Sequence, residues 1–226
     1  MAAESKSFPE LMRYPAAAQT SRRALWLQIA LVYSLIVCAS WNPEGPTKVG
    51  LMIGTATLIM IFAFGSRFTA KEMGLGVPPL PGSVLILGLG ILLAASIPLI
   101  AMITGLRFPP VRVVPWRGAW QYAVWALMQQ FALQSFFYIR IESLLGGRRA
   151  VLATAVLFST VHIPSPVLMI ATFFGGLFFC EMFRRYRTIV PLGLVHALLG
   201  LTVAASFSDL LLHHMRVGIG YLAFHH

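Results

Sequence analysis

Residues 129–146 read QQFALQSFFYIRIESLLG, and this stretch, with two histidines further along the chain, decides the fold. It places three glutamines in one hydrophobic segment, and two later hydrophobic segments carry one histidine each. The five residues are Gln129, Gln130, Gln134, His162 and His196. Polar side chains inside apolar spans are costly and are usually retained for a function. The pattern therefore indicates one polar site built from separate segments.

Composition assigns the whole chain to the membrane. Of the 226 residues, 58% are hydrophobic and 11% are charged, and the mean hydropathy is +0.80. A soluble domain of this length could not bury so much apolar surface. Uncharged runs long enough to span a bilayer recur along the sequence. We therefore predict an all-α, polytopic membrane protein with about seven or eight transmembrane helices.

The net charge of +10 does not indicate a nucleic-acid partner. The Lys and Arg residues fall in short loops between apolar runs, which is the pattern of positive-inside topology and of contact with anionic lipid. No basic residues are interleaved with aromatic ones as on a nucleic-acid-binding face. We expect membrane lipid as a partner and no nucleic acid.

Turn residues and charges divide the chain into four regions. We predict a cytoplasmic head over residues 1–23, N-terminal transmembrane helices over 24–105, core helices carrying the site over 118–207, and a tail over 208–226. The predicted spans cover about 24–41, 49–66, 83–105, 118–139, 150–163, 166–183 and 188–207. The tail is expected to form an interfacial or short eighth helix, about Leu210–Phe224.

The distribution of basic residues predicts the orientation. With the N-terminus inside, twelve of the 17 Lys and Arg residues lie in inside loops, including Arg140, Arg148 and Arg149 after the fourth span. Three of the five outside residues share one loop. We expect a multi-pass protein of the bacterial inner (plasma) membrane with a cytoplasmic N-terminus.

The same topology brings the polar residues to similar depths. With a rise of about 1.5 Å per residue, Gln130 lies roughly 15 Å from Arg140, His196 roughly 13 Å from Arg187, and His162 roughly 20 Å from Arg149. Hydrogen bonding between helices is the ordinary role of a single membrane glutamine. Three within six residues, opposite histidines at matching depth, favour one intramembrane cavity.

The motifs around these residues resemble the CPBP family (CAAX protease and bacteriocin-processing, or Abi) of intramembrane endopeptidases. Residues 129–146 resemble the first motif, Glu-Glu-x-x-x-Arg-Gly with a Leu-Leu-Gly end. Phe158 and His162 match the second, Phe-x-x-x-His, and His196 to Gly200 resembles the third, His-x-x-x-Asn. The similarity covers about residues 118–206, in order and with ordinary spacing.

The resemblance implies a helical membrane protease that acts on membrane-proximal or lipidated peptides. In this family the first Glu and the two His are thought to activate water, and the Asn helps to hold the oxyanion. Participation of a metal is disputed. Carried over to this chain, the implied catalytic positions are Gln129, Gln130, Gln134, His162 and His196. Phe158 and Gly200 are the implied substrate-binding positions.

The departures from the motif concern its charges. Glutamine stands at the Glu, Glu and Arg positions, and Gly200 stands at the Asn position. A neutral amide cannot act as a general base, so Gln129 alone cannot take a proton from water. The three exchanges keep the capacity for hydrogen bonding and remove buried charge of both signs. They indicate a coherent neutral variant of the site.

Three functions remain open at this point. The first is a divergent endopeptidase in which His162 or His196, or a divalent metal such as zinc held by them, activates water. The second is a catalytically inactive pseudoprotease that binds a membrane-proximal or lipidated peptide. The third is a membrane protein with a haem or metal bound by both histidines.

Overall fold

The computed structural model describes residues 21–106 and 115–223, and every regular element within them is helical. The elements are α1 Arg22–Ser40, α2 Pro46–Phe64, α3 Leu80–Ile103, α4 Trp116–Gln130, a π-helix Phe131–Tyr138, α5 Ile139–Leu145, α6 Gly147–Thr160, α7 Pro166–Tyr186, α8 Val190–Ser206, α9 Asp209–Leu212, a 3₁₀ turn His213–Met215 and α10 Ile219–Leu222.

Local sequence signals explain several of these boundaries. The Ser21 side chain accepts a hydrogen bond from the amide of Ala24 and so caps α1. Prolines occupy the first turn of α2, α3, α7 and α8, where their missing N–H is not needed. The helix α7 ends where Arg187 adopts a left-handed conformation with φ 45°.

Four helices are long and apolar enough to cross a membrane. They are α1, α2, α3 and α7, with 19, 19, 24 and 21 residues. The helix α8 is apolar but shorter, and α6 has 14 residues, fewer than a perpendicular crossing requires. These findings confirm an all-α, polytopic membrane protein. The exact number of crossings stays a prediction.

The fourth predicted span extends further than expected. Instead of ending near residue 139, the helical path continues through the π-helix into α5 and ends at Leu145. The prediction that Arg140 lies in an inside loop is therefore wrong. Its side chain is completely buried, because neighbouring helices supply polar acceptors for its guanidinium.

The predicted tail helix is also wrong in its extent. Two four-residue helices, α9 and α10, replace a single helix over Leu210–Phe224. They are separated because His213, His214 and Met215 take positive φ values of 46°, 53° and 57°. The predicted head of residues 1–20, the loop of residues 107–114 and residues 224–226 lie outside the described residues.

Pairwise packing of helices positions the polar segment. The helix α6 packs along α7, α1 packs against α2, and α8 packs against both α3 and α4. Small residues permit the close approach of α4 and α8: a Cβ at Gly193 would lie 2.6 Å from Leu127 Cδ1. Gln130 at the end of α4 therefore lies beside the middle of α8.

Candidate active site in the membrane core

Two glutamines and one histidine form a buried hydrogen-bonded chain. Gln134 Nε2 donates to Gln130 Oε1 at 3.3 Å, and Gln130 Nε2 lies 3.1 Å from His196 Nδ1. Both glutamine side chains are completely buried, and His196 is 8% exposed. The structure thus joins three of the polar residues singled out from the sequence, from α4, the π-helix and α8.

The π-helix determines how the two glutamines meet. It begins directly after Gln130 and includes Gln134, whose carbonyl oxygen accepts from the amide of Ile139 five residues later. Such π-helical turns are rare and occur frequently at functional sites. Gln134 Nε2 also lies 3.8 Å from the sulfur of Cys180 on α7. Its Oε1 is buried without a hydrogen-bond partner among the described residues.

This chain fixes the proton on His196. Because Gln130 Oε1 accepts from Gln134, the Gln130 amide nitrogen is the donor to His196 Nδ1. A ring nitrogen that accepts carries no proton, so the neutral imidazole holds its hydrogen on Nε2. Rotation of both amides by 180° would reverse this order. In the arrangement present, His196 offers an N–H donor.

His162 adopts the opposite tautomer. Its Nδ1 lies 2.7 Å from the backbone carbonyl oxygen of Phe158, which can only accept. The proton therefore sits on Nδ1, and Nε2 carries a lone pair. His162 is partly buried in the turn after α6. The two histidines thus offer one basic nitrogen and one donor.

Phe158 connects the two histidines. Its ring contacts His162 edge-on with centroids 5.2 Å apart and contacts His196 edge-on with centroids 5.8 Å apart. Phe179 covers His196 from another side, with centroids 5.2 Å apart. Aromatic rings therefore surround the imidazoles, and Phe158 contacts both of them and so helps to fix their relative position.

Gln129 is not part of this chain. Its side chain is half-buried, and no hydrogen bond joins it to the other described residues. Neighbouring residues on a helix point in different directions, so Gln130 faces α8 while Gln129 does not share its contacts. Of the two adjacent glutamines, only Gln130 reaches a histidine.

Gly200 lies against a residue that sequence reasoning missed. A Cβ at Gly200 would stand 1.9 Å from the hydroxyl oxygen of Tyr122, which occupies that space on the neighbouring helix. Gly200 follows His196 by one helical turn, so the Tyr122 hydroxyl lies beside the same polar region. No described residue forms a hydrogen bond with this hydroxyl. The only signal in the sequence was Tyr122 itself, two turns before Gln130 on the same helix face.

The comparison with known proteins agrees with this geometry. Residues 111–202 match the family model for Rce1-like proteins, described as type II CAAX prenyl endopeptidase Rce1-like. This region of the chain is similar to the CAAX-protease-like family. The match covers less than half of the chain, but it includes α4 through most of α8 and therefore both histidines and all three glutamines.

No curated protein and no solved structure matched the chain in the corresponding searches. The family match confirms the resemblance drawn from the motifs. The roles of the individual residues stay predictions.

The donor set does not fit the predicted catalytic zinc ion. Among the described residues, no three or more His, Cys, Asp or Glu side chains group closely enough to hold a metal ion. Catalytic zinc sites use three such ligands, whereas this site brings two histidines. The haem with two histidine ligands stays a prediction.

Proposed function

We propose that the chain is an intramembrane endopeptidase that hydrolyses a peptide bond near or within the membrane with His162 as the general base. The observation that carries this proposal is the 2.7 Å contact between His162 Nδ1 and the Phe158 carbonyl, which leaves Nε2 as a basic nitrogen. A neutral histidine is the most common general base in enzymes, and its ordinary pKa suits neutral pH.

In the proposed reaction, His162 Nε2 takes a proton from water while the water oxygen attacks the peptide carbonyl carbon. The resulting tetrahedral intermediate carries a negative oxygen. His196 Nε2–H donates to this oxygen, and the Tyr122 hydroxyl beside Gly200 is the second donor. When the C–N bond breaks, the protonated His162 returns its proton to the leaving amine.

The glutamines position this machinery rather than take a proton. Gln134 holds Gln130, and Gln130 holds His196 in the tautomer that donates from Nε2. Donors aimed at a developing oxyanion are worth about 10²–10³ in turnover. The neutral amides thus position His196 to stabilise the oxyanion, while His162 acts as the general base.

The substrate class follows from the surroundings and from the family. The site is lined by Phe158 and Phe179, and the helices around it are those of a membrane protein. A membrane-anchored or lipidated peptide suits such a place. We also propose that the protein resides in a bacterial inner membrane with its N-terminus in the cytoplasm, as its basic residues predict.

The test is turnover by the purified protein in lipid nanodiscs, with a panel of lipidated and membrane-anchored peptides. His162→Ala should abolish cleavage, Tyr122→Phe should reduce it by at least about tenfold, and His214→Ala, an exposed tail position, should leave it unchanged. Cleavage that survives His162→Ala would overturn the proposed base.

A second candidate is a pseudoprotease that binds such peptides without cleaving them. It is favoured by one observation: no carboxylate contacts the two histidines among the described residues. The nearby acids are occupied elsewhere, since Glu142 pairs with Arg187, and Glu181 pairs with Arg184 and Arg185. Peptide binding without turnover, with cleavage gained by the variant Gln129→Glu/Gln130→Glu/Gln134→Arg, would support this candidate and overturn the first.

A further inference from the structure

The buried Arg140 is held without a negative partner. Its Nε donates to Gln28 Oε1 at 2.9 Å, one terminal nitrogen donates to the Phe62 carbonyl at 2.7 Å, and the other donates to the Phe136 carbonyl at 3.1 Å. The guanidinium also stacks on the Phe136 ring, 4.1 Å from its centroid. No Asp or Glu side chain pairs with Arg140 among the described residues.

Capping of a helix end explains part of this arrangement. The Phe62 carbonyl belongs to the last turn of α2, where the helix dipole favours a cation. The dipole supplies only a partial negative charge, however, and all the protein acceptors of Arg140 are neutral. A full positive charge therefore remains beneath the surface.

A cavity of about 330 Å³ adjoins this charge. Its wall includes Gln28, Ser66, Arg67 and Phe68, and Arg140 lies behind it. The side-chain oxygen of Gln28 accepts a hydrogen bond from Arg140. Both hydrogens on its amide nitrogen therefore remain available to donate to a ligand. Arg67 is exposed at the same cavity and adds a second guanidinium. The volume lies in the range of small-molecule sites.

We propose that this cavity is a binding site for a phosphate-bearing anion. Arg67 and the Gln28 amide contact the phosphate oxygens, since arginine and amide N–H groups match them in geometry. Arg140 is completely buried and acts on the ligand through its charge rather than by contact. The volume exceeds what a bare phosphate fills, which leaves room for the organic part of the molecule.

The position of the cavity points to the membrane face. Arg22 at the start of α1 donates to the Leu144 carbonyl at the end of α5, so these two helix ends lie together. The end of α2 joins them through the bond from Arg140 to the Phe62 carbonyl. Basic pockets between helix ends at a membrane face bind anionic lipid headgroups. The phosphate can therefore come from a lipid headgroup or from a free phosphate compound.

The experiment uses the full chain in a neutral maltoside detergent. Dioctanoyl phosphatidylglycerol and inorganic phosphate are titrated separately, and binding is followed by intrinsic fluorescence and native mass spectrometry. We expect saturable binding that Arg67→Gln weakens about tenfold, the effect of losing one charged hydrogen bond. Arg148→Gln, an exposed arginine that does not line the cavity, is the matched control and should bind as the parent does.

Gln28→Glu is the decisive variant because it separates binding from folding. The new carboxylate still accepts from Arg140 and neutralises it, so the variant should fold and melt no lower than the parent. It also places a negative charge in the wall, and binding should fall by more than tenfold. Tighter binding of the lipid than of phosphate identifies a headgroup site, and the reverse identifies a free phosphate ligand.

Two results would overturn the proposal. One is the absence of saturable binding of either probe to the parent protein. The other is equal weakening by Arg67→Gln and Arg148→Gln, or unchanged binding in Gln28→Glu, which would indicate general surface attraction. Neither result bears on peptide cleavage, which depends on His162.

Discussion

The helical path from Trp116 to Leu145 has two halves, whose buried polar side chains are neutral in one half and charged in the other. The half around Gln130 and Gln134 is neutral, and its amides bond to each other and to His196. The half after the π-helix carries Arg140 and Glu142. Gln130, Gln134 and Arg140 are all completely buried, so the difference does not come from exposure. It comes from the partners that the neighbouring helices provide.

In the charged half, each charge has fixed partners. Arg140 bonds to two backbone carbonyls and to Gln28, while Glu142 pairs with Arg187 at 2.5 Å and accepts from the Tyr138 hydroxyl at 3.1 Å. A buried charge is tolerable only with such partners. In the neutral half, the amides can reverse their donor and acceptor ends. From this comparison we expect Arg140 and Glu142 to contribute to the stability of the fold, and Gln130 and Gln134 to position His196.

The largest effect that tests this comparison is expected from Arg140→Met. The substitution leaves Gln28 Oε1 and the carbonyls of Phe62 and Phe136 without their donor. Each unsatisfied buried acceptor costs about 1–3 kcal/mol, so we expect a loss of about 4 kcal/mol in the free energy of unfolding. Unfolding in mixed micelles, followed by tryptophan fluorescence, measures it.

Arg148→Met is the control for that experiment, because Arg148 is exposed at the same end of the path. Its effect should stay within about 0.5 kcal/mol. If the two variants lose the same stability, the buried arginine does not stabilise the fold and the contrast between the halves disappears.

The second prediction introduces charge into the neutral half. Gln130→Glu buries a carboxylate beside Gln134 and replaces the donor to His196 Nδ1 with an acceptor. We expect a loss of about 3 kcal/mol, because a buried charge without a fixed partner is strongly unfavourable. Adding Gln134→Arg supplies a partner and should restore about half of this loss.

Gln129→Glu is the matched control for that prediction. Its side chain is half-buried and outside the hydrogen-bonded chain, so it should lose less than about 1 kcal/mol. Nitrogen-15 NMR of labelled histidine adds a second measurement, because Gln130→Glu should move the His196 proton from Nε2 to Nδ1. An unchanged tautomer would contradict the assigned direction of the chain.

The smallest expected effect concerns the packing of the neutral half against α8. Gly200→Ala brings a methyl group against the Tyr122 ring, and such overpacking costs about 1–3 kcal/mol, with about 2 kcal/mol expected here. The same change in a Tyr122→Ala background should cost much less. Gly88→Ala, on a helix face with nothing near its Cβ position, is the control and should not destabilise. An equal loss of stability in both backgrounds would show that the Tyr122 side chain does not occupy the space beside Gly200.

Much of the fold could be predicted because hydropathy reports it directly. Each predicted span corresponds to helical structure, with ends displaced by a few residues where proline and capping residues define the true start. The motif spacing indicated a resemblance to the family, and the match over residues 111–202 confirms this resemblance. Similar depth predicted only that Gln130, His162 and His196 converge on one cavity, not that Gln130 pairs with His196. The sequence could not predict that Gln130 rather than Gln129 contacts His196, because this depends on the rotation of α4 about its axis relative to α8.

The errors have different physical origins. Arg140 was predicted in a loop because an arginine after an apolar run ordinarily ends a span. Its burial depends on carbonyl and amide groups from α1 and α2, which are more than 70 residues away in the chain. The tail was predicted as one helix from its apolar residues, whereas three consecutive positive φ values break it. Tyr122 was missed because Gly200 has no side chain to suggest a neighbour.

The sequence by itself determined that this chain is a helical membrane protein, which family it resembles, and that the family's charges are replaced by amides. Hydropathy, residue type and motif spacing are properties of single segments, and they do not depend on how the helices pack together. The tertiary structure alone decided which nitrogen of His196 carries the proton, which glutamine reaches a histidine and where the buried Arg140 lies. These features depend on contacts between helices that are distant in sequence. A shift of about one ångström there is enough to break a hydrogen bond.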